Sequence, residues 1–352
     1  MRLSPNKTKR RIRMFCVSAV AATALVACSD GDGGPDPATQ SDGQISGDTV
    51  RIDLDPPRVT LLDPGSARQV LSYGVPDADA PTQELPVRFG GGFTTLVDSG
   101  AGTPPHPPAE PDGLPVLDVD AQATVRAVDG EKVTAGETGA TRQVTVIAGS
   151  PRFSGGTTTL RSGEDPDVDW DAELAGADGF TVSYATTPSG KPVSMSLHAP
   201  DSASDIGRAG MESRLGNLVT LAVVFPDEPV GPGARWTVES RITGSTTMLQ
   251  TMTYTLTELD GRTVGMDVEV DQRPSIGALS LDALAPQGDS DGAAGELRVE
   301  SAETSSTGHL ELDLDDPLPR SGGVAFTTRV IYAGDGSDVR VVQDSHTAVH
   351  FD

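Results

Sequence analysis

Along most of this chain, apolar residues alternate with polar ones at a spacing of two. Leu117, Val119, Ala121, Ala123, Val125 and Ala127 interleave with Asp118, Asp120, Gln122, Thr124 and Arg126. Val264, Met266, Val268 and Val270 interleave with Gly265, Asp267 and Glu269, and Leu310, Leu312 and Leu314 with Glu311, Asp313 and Asp315. Val324, Phe326, Thr328, Val330 and Tyr332 continue the series. Successive side chains of a strand point to opposite faces. The rhythm therefore means one face in a core and one in water, as in antiparallel sheet. Turn residues punctuate the runs at Thr187-Pro188-Ser189-Gly190, Asp260-Gly261 and Asp335-Gly336. Trp236, Val238 and Ile242, then Met248, Met252, Tyr254 and Leu256, then Val264 to Val270, read as a meander of three strands. The expected fold class is mainly β, an antiparallel meander sheet forming a curved sheet, a sandwich or a half-barrel.

One stretch changes period. Asp201 to Val223 opens with the capping candidates Asp201 and Ser202, then places Ile206, Met211, Leu215, Leu218 and Val219 at helical spacings. Gly207, Gly210 and Gly216 weaken a helix by up to ~1 kcal/mol each relative to alanine. The expectation is one helix near 201–223 covering a sheet face. Pro226 ends it. Beyond lies a stiff run with two turn glycines, Gly231 and Gly233, leading into Trp236.

The N-terminus follows neither rhythm. Arg2, Lys7, Lys9, Arg10, Arg11 and Arg13 precede an apolar run from Met14 to Val26, shorter than the ~20 residues of a spanning helix. Leu25-Val26-Ala27-Cys28 then has the form of a lipoprotein cleavage and lipidation site. Residues 1–27 read as a signal peptide and Cys28 as the lipidated residue. Residues 28–49, rich in Gly, Asp, Ser and Pro, read as a disordered tether. Residues 50–352 then form a single β-rich extracytoplasmic domain. The competing readings are an ordinary signal with an incidental cysteine and an uncleaved anchor. The only other cysteine, Cys16, lies in the signal, so the mature domain carries no thiol for a disulfide, nucleophile or metal site.

The segment from Asp178-Gly179 through the helix into Phe225-Pro226-Asp227-Glu228-Pro229-Val230-Gly231-Pro232-Gly233-Ala234-Arg235-Trp236, and on to Tyr254-Thr255-Leu256, resembles an uncharacterised family of bacterial cell-envelope lipoproteins. That family shows a proline and an acidic pair, a Gly-x-Gly-x-x-Trp turn, and a Tyr-x-Leu strand. Arg68-Gln69-Val70-Leu71-Ser72-Tyr73 is similar to its opening strand. The resemblance covers roughly residues 58 to 350. It implies one folded domain, with Trp236 as a core anchor behind the turn at Gly231 and Gly233. It implies no activity, cofactor or catalytic residue.

Charge narrows the partners. The formal charge is −25, and loss of the basic signal takes it to about −31. Electrostatic binding to nucleic acid or anionic headgroups is disfavoured. Catalytic motifs are sparse. Gly-x-Ser-x-Gly is absent, and Gly190-Lys191 lacks the upstream glycine of a phosphate loop. His346 and His350, four apart on a strand, lie ~13 Å from each other and read as solvated. His106, His198 and His309 are isolated. The acidic run Asp165 to Glu173 fails the EF-hand pattern, with Trp170 sixth and Gly176 twelfth, and reads as a solvated loop. Ser99 to Gly113, with five prolines, reads as an exposed excursion, and Pro286 to Gly295 as a small polar loop. The expected protein is a non-enzymatic envelope lipoprotein with no cofactor and no metal. It is held to the bilayer through Cys28 and binds a protein or envelope component through its surface. The alternative is a carrier of a lipid or other apolar ligand in a cavity under the curved sheet. Small aliphatic inward faces and only 14 aromatic residues fit either.

Overall fold

A computed structural model describes residues 44–46, 49–75, 81–98, 106–128, 139–154, 168–242, 247–275, 278–280, 296–334 and 340–352. The signal, Cys28 and most of the tether lie outside them. So do Asp165, Asp167, the loop at Pro286 to Gly295 and the turn at Asp335-Gly336.

The alternating runs form strands of a single antiparallel sheet. In chain order they are β1 (Gln44–Ser46), β2 (Thr49–Asp53), β3 (Arg58–Asp63), β4 (Gln83–Asp98) and β5 (Val116–Ala127). β6 (Arg142–Ser154), β7 (Phe180–Thr186), β8 (Pro192–His198), β9 (Arg235–Ile242) and β10 (Met248–Asp260) follow. β11 (Thr263–Pro274), β12 (Ala278–Ser280), β13 (Glu296–Asp313), β14 (Ser321–Gly334) and β15 (Arg340–Phe351) complete it. The spatial order is β1-β2-β8-β7-β6-β5-β4-β15-β14-β13-β11-β10-β9-β3, with β12 beside β13. β1 and β3 do not pair with each other, so the sheet is open. Gln44–Ser46, the end of the expected tether, pairs with β2 and so belongs to the sheet.

The sheet curls around a main core built from β4 to β11, β13, β14, β15 and the helices, and Leu297, Val330, Tyr332 and Val341 form a second, smaller cluster. Leu117, Val119, Ala121 and Ala123 of β5 and Val264, Met266, Val268 and Val270 of β11 all point inward. The β9–β10–β11 meander is present, its β10–β11 hairpin closing at Asp260↔Thr263. β11 pairs with β13 only from Thr263 to Asp267. Farther along, the hydroxyls of Ser306 and Thr304 accept the Val270 and Gln272 N–H groups at 2.9 and 3.0 Å. Side chains there replace the ladder and keep the buried backbone satisfied.

The covering helix expected near 201–223 is present, and a second, shorter helix precedes it. α1 (Trp170–Gly176) forms within the acidic run, capped by Asp169, whose carboxylate accepts the Ala172 N–H. α2 (Asp205–Leu215) and α3 (Asn217–Thr220) together make a 16-residue helical run through Gly216, which keeps right-handed helical angles. Its cap is Ser204, accepting from the Gly207 N–H at 3.0 Å, not Asp201 or Ser202. Met211, Leu215, Leu218 and Val219 are buried, but Ile206 is exposed. Gly207 is there for space. A Cβ would lie 2.5 Å from the Glu173 carbonyl, so only glycine lets α1 and α2 approach this closely.

Arg68 to Tyr73 is not a strand. It makes one isolated bridge, Gln69↔Val230, and buries Leu71. The proline-rich loop is corrected too, over its described part from His106. Pro107 is buried, and the Ala109 carbonyl accepts from Thr327 Oγ1 at 3.0 Å. The loop therefore covers the outer face of β14, where Ala325, Thr327 and Ile331 are buried as well.

Candidate ligand cavity and outer trough

The chain between α3 and β9 runs through the interior without regular structure, so its carbonyls need side-chain partners. Four inward residues supply them. Gln250 Nε2 donates to the Thr220 carbonyl at 3.2 Å, and Tyr254 Oη to Ala222 at 3.5 Å. Tyr73 Oη donates to Val223 at 3.2 Å, and Trp236 Nε1 to Val224 at 2.8 Å. Trp236 is fully buried and stacks on Tyr254 with ring centroids 5.3 Å apart. Phe225 packs on it at 6.1 Å.

The turn before Trp236 explains its glycines. Gly233 has φ +84° and donates its N–H to the Leu256 carbonyl at 2.8 Å. A Cβ on Gly231 would lie 1.7 Å from the Ser66 carbonyl, so the turn locks against residues 64–67 by backbone contact.

Beside this cluster, in the same interior, the inward row of β6 reads Arg142, Val144, Val146, Ala148, all buried. Arg142 pairs across the sheet with Thr186 of β7, in phase with Tyr184. The residue is 3% exposed, and its guanidinium lies 4.5 Å from the ring centre of Tyr73 and donates through Nη2 to the Asp316 carbonyl at 2.6 Å. The nearby carboxylates are engaged elsewhere. Arg320 pairs with Asp313 and Asp316, each at 2.7 Å, and Arg262 with Asp315 at 2.6 Å. Arg142 Nε and Thr186 Oγ1 are buried without a hydrogen-bond partner among the described residues.

These groups line a cavity of about 50 Å³. Leu218, Leu221, Leu310, Leu312, Leu318 and Val349 supply aliphatic walls. The turn between β13 and β14 closes one side. It is clamped by Gln83, whose amide donates to the Leu318 carbonyl at 3.1 Å and accepts its N–H at 3.0 Å. Burial raises the Tyr184 phenol to about 12 and the Tyr73 phenol further, against the opposing pull of Arg142. Burial lowers Arg142 from its usual value, with both phenols opposing. A guanidinium stays protonated through such a shift. The cavity is thus an aliphatic space with one cation, two neutral phenols and two aspartates, Asp313 and Asp316, that are paired with Arg320.

The outer face carries a second concavity. In register across the sheet stand Asp267, His309, Gly323, His350 and Arg88. Gly323 offers no side chain between the two histidines, which leaves a trough of about 460 Å³. His309 Nδ1 lies 2.8 Å from Asp267 Oδ1, and His350 Nε2 lies 3.9 Å from Glu110 Oε1. Arg88 is paired with Asp352 at 2.6 Å. Among the described residues, no three His, Cys, Asp or Glu side chains are placed to hold a metal ion.

His346, expected in solvent, is buried beneath the proline loop, with Nδ1 3.0 Å from Thr327 Oγ1. Gly90 makes the room, since a Cβ there would lie 3.1 Å from His346 Nε2. Burial lowers the imidazole below its usual value of 6.5, and Glu110 opposes this. His106 and His198 are exposed.

Sequence reasoning missed Arg142, Thr186, Gln250 and Gln272. Each is a polar residue in the inward phase of an alternating run, and that phase was the available signal. The two glutamines bond to each other at 2.7 Å, and Thr328 donates to Gln272 Oε1 at 3.3 Å. No helix among the described residues is long and apolar enough to cross a membrane. The sequence matches no protein-family model, and a comparison with curated proteins finds no match.

Proposed function

We propose that this is a lipid-anchored, extracytoplasmic lipoprotein that acts without catalysis and binds a protein or envelope component through its surface. The observation that carries this reading is the contrast of volumes. The interior cavity holds about 50 Å³, whereas the open trough between His309 and His350 holds about 460 Å³. A drug-sized ligand takes ~300–1,000 Å³, and a long acyl chain needs a continuous apolar channel. The interior supports a closed core more than a carrier. Anchoring rests on Cys28 and its signal. Each buried acyl CH₂ contributes ~0.8 kcal/mol, and two or more chains hold stably. The likeness to envelope lipoproteins rests on the Trp236 turn.

Two measurements test this reading. Cys28→Ser is expected to abolish labelling by a fatty-acid analogue and to release the protein from membranes; retained label and membrane binding would end the lipoprotein assignment. A photo-crosslinker at Thr307, in the trough, is expected to capture a discrete envelope partner in intact cells. The same probe at Asp205, on α2, is expected to capture none. Equal patterns at both positions would remove the trough as the binding surface.

A further inference from the structure

We propose that the cavity at Arg142 is a binding site for a short monocarboxylate, its carboxylate held by the Arg142 guanidinium and the Thr186 hydroxyl and its aliphatic part against Leu218, Leu221 and Leu310. This goes beyond the surface reading and stands independently of it.

The argument begins with charge. A buried cation needs a compensating anion or a full set of acceptors. Arg142 has neither. Its observed partners are a backbone carbonyl and the face of Tyr73, while each neighbouring carboxylate is bonded to Arg320 or Arg262. Nε is left over, and so is the hydroxyl on its cross-strand partner Thr186. Two donors without partners stand on paired strands, on residues that both line one cavity, and a small side-chain shift would turn them to the two oxygens of a carboxylate. The Tyr184 phenol, neutral at physiological pH, lines the same space.

Size and walls set the rest of the ligand. About 50 Å³ admits a few heavy atoms beyond the space of a water, hence a chain of about two to four carbons. Leu218, Leu221, Leu310, Leu312 and Leu318 make up much of the wall, so the aliphatic part of the ligand has apolar surface to rest on. Asp313 and Asp316 also line the cavity, and the protein is strongly acidic overall. A single negative charge is therefore favoured over a dianion such as succinate or phosphate.

The test is calorimetric titration of the full chain, in detergent, with sodium propionate. Sodium chloride, sodium phosphate and sodium succinate at matched ionic strength are the comparisons. Saturable binding of one propionate per chain is expected, with the other three anions at least tenfold weaker. Thr186→Val is expected to weaken propionate at least tenfold while the circular dichroism spectrum stays that of the native sheet. Leu221→Phe, which fills the space without touching a donor, is expected to abolish binding. Arg142→Met is expected to abolish it too, but this variant is read only if it folds; the other two keep the test decisive. Absence of saturable binding would overturn the proposal, as would binding indifferent to Thr186→Val and Leu221→Phe. Chloride or phosphate binding as tightly as propionate would also overturn it, by reducing the site to a general anion trap.

Discussion

Two adjoining parts of this interior, the Trp236 end and the Arg142 end, are built from the same curved sheet and the same inward phase, yet they solve opposite problems. At the Trp236 end, each aromatic donor meets a carbonyl: Trp236 with Val224, Tyr73 with Val223, Tyr254 with Ala222. Rings stack, and the turn closes on the backbone of residues 64–67. At the Arg142 end, a guanidinium and a hydroxyl remain short of acceptors beside a small cavity. Tyr73 belongs to both ends, its hydroxyl bonding to Val223 and its ring lying against Arg142. A core held only for stability satisfies its buried polar groups. The first end does so, whereas at the second Arg142 Nε and Thr186 Oγ1 have no hydrogen-bond partner among the described residues.

The largest expected effect lies at the satisfied end. Trp236→Ala removes a fully buried ring and its bond to Val224, and is expected to cost about 3–5 kcal/mol in denaturant unfolding. An unchanged melting temperature would place Trp236 outside the core and erase the contrast.

The opposite sign is expected at the other end. Thr186→Val replaces a buried hydroxyl that lacks a partner with a methyl of similar shape. Ligand-free stability is expected to rise by about 1 kcal/mol. A loss of that size would mean that the hydroxyl is satisfied by bound water, making the two ends alike.

A smaller effect comes from the outer face. Burial lowers the pKa of His346 in the fold, with Glu110 and the Phe326 and Ala109 backbone opposing and His350 reinforcing. The unfolded chain takes up the proton first as pH falls through about 6.5. Below that point the unfolded state binds more protons than the native one, so stability falls with pH until the folded pKa is reached. His346→Gln is expected to flatten this part of the stability–pH curve. A slope unchanged in the variant would assign it to other groups.

Much of the sheet was legible because half-buried strands advertise themselves by alternation, as β5 and β11 do. β14 hides half its environment. Its alternate residues read as solvent-facing, but the proline loop packs over Ala325 and Thr327, and no local pattern encodes that distant cover. α1 was concealed because its helix-starting acids, Asp169, Asp171 and Glu173, look like a solvated loop when read as charge alone. Ser204 was masked by the earlier candidates Asp201 and Ser202. The Arg142 cavity was encoded by a single polar residue heading the inward row of β6. Recognising it required knowing that Tyr73 and the turn between β13 and β14 close over it, which only the fold brings together.

The claim that the interior is closed to long lipids is tested most directly by native mass spectrometry of the full-length protein released from membranes. The account predicts the polypeptide with its covalent anchor and, at most, one short carboxylate displaced by Leu221→Phe. A co-purifying long-chain lipid, held non-covalently in a one-to-one complex after detergent removal, would contradict it and make this protein a carrier.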